Sequence, residues 1–82
     1  SGPMRDLLKP QMEQTLALLA ERLIAMEKGG EIRLKMDPLR TAACMAALAE
    51  GLTWLGLASD RELKDISGDI AAGLECLVEP IR

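Results

Sequence analysis

The sequence predicts a mainly α small domain of three helices, with one short extended segment between the first and second, completed in a homodimer. Three observations predict it. Two stretches carry apolar residues at helical spacing, a third is apolar all round behind a strong helix start, and only one segment alternates charged with apolar residues.

Leu8, Met12, Leu16, Leu19, Leu23 and Met26 recur at steps of four and three, which stacks them on one side of a helix. Pro10 suits a first turn, where its missing N–H is not needed, and Gly29-Gly30 supplies a helix stop. The first helix is therefore expected over about 10–28. Leu18 and Ile24 fall off the stripe, as ordinary exposed apolar residues or as part of a second contact face.

Glu31-Ile32-Arg33-Leu34-Lys35-Met36 then alternates strictly, so Ile32, Leu34 and Met36 share one side of an extended segment, 31–36. A lone strand cannot satisfy its own backbone. No second segment shows the same alternation, so the expected partner is the same strand of a second copy, with Ile32, Leu34 and Met36 at the dimer interface. The alternative is an extended linker that packs these side chains without pairing.

Asp37-Pro38 opens the second helix, Asp as a cap and Pro at the first helical position, and the helix is expected over about 38–57. From Thr41 to Ala58 the only charge is Glu50, so the helix should be buried on most sides. Ala42, Ala46, Ala49, Thr53 and Gly56 form a small-residue stripe that admits a close helix neighbour. Met45, Leu48, Leu52 and Leu55 form a large stripe beside it. The run reaches the lower length limit of a membrane span, but a mid-run charge costing about 2.5–3.5 kcal/mol argues against one.

Ser59-Asp60-Arg61-Glu62 has the pattern of a capping box and predicts a third helix over about 60–78, with Leu63, Ile66, Ile70, Leu74, Leu77 and Ile81 inward. Pro80 should end it. Gly68 and Gly73, poor helix formers, imply close packing or a bend. Residues 4–82 thus make one domain, with Ser1-Gly2-Pro3 read as the remnant of a cleaved tag.

Composition narrows the function. The chain has 82 residues, no His, Tyr or Phe, and a formal net charge of −3. Without His the commonest general base and metal ligand are missing, so no enzyme, catalytic residue, metal or cofactor is expected. Cys44 and Cys76 are too few for a disulfide framework and lack an activating set, and read as packed thiols. Asp65 and Asp69 read as a solvated helix face rather than a cation site. The lack of a signal peptide pattern points to the cytoplasm.

What remains is binding. An adaptor, chaperone, antitoxin or anti-activator that self-associates and takes another protein on apolar helix surface fits these features. Glu50, Trp54 and Leu57 are the candidate partner contacts, a large ring beside aliphatic surface and one orienting charge. The alternative places Trp54 in the core with Glu50 reaching solvent at its edge. A second function class is DNA binding, because the order strand, helix, helix from Glu31 to Val78 is that of ribbon–helix–helix repressors. Glu31, Arg33 and Lys35 would then enter the groove, although the acidic balance disfavours nucleic acid.

Overall fold

The computed structural model of the chain describes residues 2–81. Its elements are α1 (Pro3–Lys28), β1 (Ile32–Leu34), α2 (Pro38–Ala58), α3 (Leu63–Leu77) and β2 (Val78–Pro80). The fold is thus mainly helical with three helices, and a two-stranded antiparallel sheet joins the α1–α2 connection to the end of α3.

The extended segment finds its partner within its own chain. Ile32 pairs with Pro80, Arg33 with Glu79 and Leu34 with Val78, and the Ile81 N–H donates to the Glu31 carbonyl at 3.0 Å. This corrects the expectation that the chain holds no second segment to pair with this strand. Val78-Glu79-Pro80 is too short to show an alternation, and Pro80 is tolerated because it closes a strand on the edge of the sheet. The Leu34 N–H donates to Glu27 Oε2 at 2.8 Å, so α1 also satisfies part of β1.

Both ends of the helical pattern shift for identifiable reasons. α1 begins at Pro3, not near residue 10: Pro3 takes the first helical position and Pro10 lies inside the helix. A proline at the first position loses nothing, Asp6 places a negative charge in the first turn, and Met4, Arg5, Leu7, Leu8 and Lys9 are good helix formers that lead into Pro10. α3 begins at Leu63 rather than near 60, and Glu62 precedes it with no side-chain cap bond. The expected capping box does not form because its residues end α2 instead. The Ser59 N–H bonds Leu55 and Gly56 carbonyls, Asp60 takes a left-handed φ of 55°, and the Arg61 N–H returns to the Gly56 carbonyl at 3.0 Å. That last bond is the long-range closure of a Schellman end. By contrast, α2 starts where Asp37-Pro38 predicts, with Asp37 Oδ2 accepting from the Arg40 N–H at 3.1 Å.

α2 is the middle of the structure. It packs on both α1 and α3, while α1 and α3 share no extensive contact. The result is flat, 38 × 33 × 15 Å. One core joins Ala20 and Leu23 of α1, Ile32 of β1 and Ala42 of α2, with Leu16, Leu19, Leu34, Met45 and Val78 packed around them. Thr41 is fully buried there and spends its hydroxyl on the Asp37 carbonyl at 2.9 Å. The α2–α3 contact is closer: Ile66 fills the space beside Gly56, and Leu48 the space beside Gly73. Gly73 therefore marks close packing, as its place in the helix predicts, whereas Gly68 has open space around it. Two residues expected on the inward α3 stripe are exposed: Ile81, which lies beyond that helix, and Leu63, its first residue.

Candidate functional site

The flat arrangement leaves two long apolar surfaces in solvent. The first belongs to α1. Its stripe is continuous, yet only the half from Leu16 onward meets the core, and Met4, Leu7, Leu8 and Met12 are exposed. Farther along, Leu18, Leu19, Ala25 and Met26 line an open hollow of about 670 Å³ with Glu21 and Arg22. Leu18 and Ile24, left open as ordinary exposed residues or as a second contact face, are both exposed.

The second surface is the outer side of α2. At 100° per residue, Arg40, Ala43, Ala47, Glu50, Trp54 and Leu57 fall on one side, and all six are exposed. Trp54 is 73% exposed and Leu57 67%, so Trp54 is not a core residue. Beside them Ala49, Glu50, Thr53 and Trp54 line a shallow hollow of about 230 Å³. Thr53 turns its hydroxyl onto the Ala49 carbonyl at 2.7 Å, which leaves that wall apolar. Neither Arg40 nor Glu50 forms an ion pair with another described residue. The expectation that α2 is buried on most sides is corrected here: the residues of α2 that meet α1, among them Ala42 and Met45, and those that meet α3, Leu48 and Gly56, share one side of the helix, and the opposite side is left open. By length and composition α2 is also the one helix among the described residues that could cross a membrane.

The residues expected at a strand-mediated dimer contact are used within the chain. Ile32 is 6% exposed inside the core, and Leu34 and Met36 are half-buried. The alternative groove-reading set is likewise engaged. Arg33 Nη1 lies 3.7 Å from Glu79 Oε2 on the adjacent strand, and Lys35 Nζ donates to the Cys76 carbonyl at 3.3 Å, while Glu31 is exposed. Ribbon readers need two strands presenting free polar side chains to DNA. Here the neighbouring strand offers Glu79, a carboxylate that phosphate would repel.

Cys44 is half-buried and Cys76 exposed, so Cys76 is not the packed thiol expected. Asp65 is exposed, and Asp69 pairs with Arg61. Among the described residues no group of three or more His, Cys, Asp or Glu side chains is placed to hold a metal ion. No family model, curated protein or solved structure matches the chain.

Proposed function

We propose that the chain is a self-associating helical interaction module, a small regulator of the adaptor, chaperone, antitoxin or anti-activator kind, that acts by binding protein surface and not by chemistry of its own. The supporting observation is an excess of exposed area. A compact monomer of 8.9 kDa exposes about 4,800 Å² by the scaling of folded chains. This chain exposes 6303 Å². The surplus, about 1,500 Å² per copy, would bring two associated copies within the range of about 2,000–5,000 Å² that permanent dimers bury.

The location of the surplus supports the same reading. Large side chains cluster on the first half of α1 and the outer side of α2 instead of scattering singly, and clustered apolar surface marks an interaction site. With two such surfaces, one copy can hold a second copy and still present an apolar helix face to another protein.

Light scattering over a concentration series tests the reading. A mass of twice the chain at micromolar concentration is the expected result. A single-chain mass up to the highest soluble concentration, with no second species, overturns self-association.

A further inference from the structure

The outer side of α2 carries a pattern that names its occupant. Arg40, Ala43, Ala47, Glu50, Trp54 and Leu57 succeed one another at steps of three, four, three, four and three, the spacing of a coiled-coil seam. All are exposed, and the seam holds only two charges, Arg40 and Glu50, of opposite sign. They stand five positions either side of Met45, with Ala43 and Ala47 two positions either side. We infer that a second copy of this chain docks its α2 antiparallel along this seam, with the two-fold axis crossing the seam midway between Ala43 and Ala47. The inference rests on the self-association proposed above and specifies its surface.

Symmetry makes the pattern self-complementary. In a two-fold contact the same patch meets itself, and whatever residue i touches on the partner, that residue touches i in return. An antiparallel pair centred at Met45 sets Arg40 against Glu50 of the partner subunit, twice. At the centre Ala43 meets Ala47 of the partner subunit, where methyl groups allow close backbone approach. In the same register Trp54 falls opposite Met36 of the partner subunit, just ahead of the first turn of that helix, an aromatic anchor over an apolar side chain. A parallel pair is ruled out by the same residues. It would set Arg40 against Arg40 and Glu50 against Glu50, like charges in a largely apolar seam. The flat shape leaves this side of α2 clear, and the surplus area is of the size a stable dimer needs.

Charge reversal separates this arrangement from any other dimer. Arg40→Glu alone and Glu50→Arg alone each place two like-charged pairs in the contact, and self-association should weaken about tenfold or more. Mixing the two variants restores opposite charges in both pairs, because each altered residue then meets the other's complement. Light scattering is expected to show the unaltered chain as a dimer, each variant as a monomer at the same concentration, and the equimolar mixture as a dimer again. Both side chains lie in solvent, and circular dichroism of each variant checks that its helices are intact. If the unaltered chain and both variants are equally dimeric, the seam is wrong while self-association stands and lies elsewhere. A single-chain mass for the unaltered protein sinks both. Should Trp54 emission shift to the blue with added phosphatidylglycerol vesicles but not with protein concentration, the occupant is a bilayer, and the inference fails.

Discussion

The Ile66 side chain occupies the space in which a Cβ on Gly56 would stand. Both residues are buried, and this contact sets how closely α3 lies on the middle helix. Gly56→Ala should therefore cost about 1–3 kcal/mol, the usual penalty for overfilling a packed contact. Denaturant unfolding measures it. Adding Ile66→Val, which removes the methyl nearest the new Cβ, should recover part of the loss, and no recovery would show that the strain lies elsewhere.

Gly68 supplies the contrast. It lies inside α3 with nothing within 4 Å of the position its Cβ would take. Gly68→Ala should stabilise the chain by up to about 1 kcal/mol through helix propensity alone. A rise in the unfolding midpoint is the expected outcome, and a fall would mean that this side of α3 is covered.

Asp60 holds a left-handed backbone at the end of α2, φ 55°, a region that carries a steric cost for any residue with a Cβ. Asp60→Gly should stabilise by about 0.5–1 kcal/mol, with the Schellman closure retained. Thermal unfolding of the variant checks this against the parent.

Ile32 lies in the core of its own chain, on the strand that pairs with β2. Ile32→Ala should cost about 2–5 kcal/mol of folding stability, as buried isoleucine truncations do. The loss should appear in unimolecular unfolding at fixed concentration. A variant that unfolds like the parent but dissociates would return Ile32 to an interface.

How much of this was legible in the sequence depends on how local each signal is. Asp37-Pro38 marks the start of α2 because cap and helix lie within four residues, and the Asp37 carboxylate makes the bond that the pattern implies. Gly68 and Gly73 carry one and the same signal, a poor helix former retained mid-helix, and only Gly73 meets a close neighbour, because the approach depends on where α2 lies. The capping box misleads because Ser59 to Arg61 are claimed by the end of α2, a competition that inspection of the third helix alone does not reveal. β2 is invisible since three residues ending in proline carry no periodicity, and its pairing spans some forty-five residues of chain. Glu50, Trp54 and Leu57 are legible as a candidate contact. Their exposure is not, because it follows from α1 and α3 both packing on the opposite side of α2, which no single stretch encodes. The seam spacing and the opposite placement of Arg40 and Glu50 were present in the sequence all along. They gain meaning only once that side of α2 is known to be open.

Trp54 is the only aromatic residue in the chain and stands 73% exposed on the outer side of α2. Its fluorescence therefore reports on the proposed contact alone. On dilution of the unaltered protein from high to low micromolar concentration, emission should move from a buried to a solvent-exposed wavelength along the same curve as the fall in scattering mass. A solvent-exposed emission at every concentration, in a protein that remains dimeric, would contradict the account at its centre.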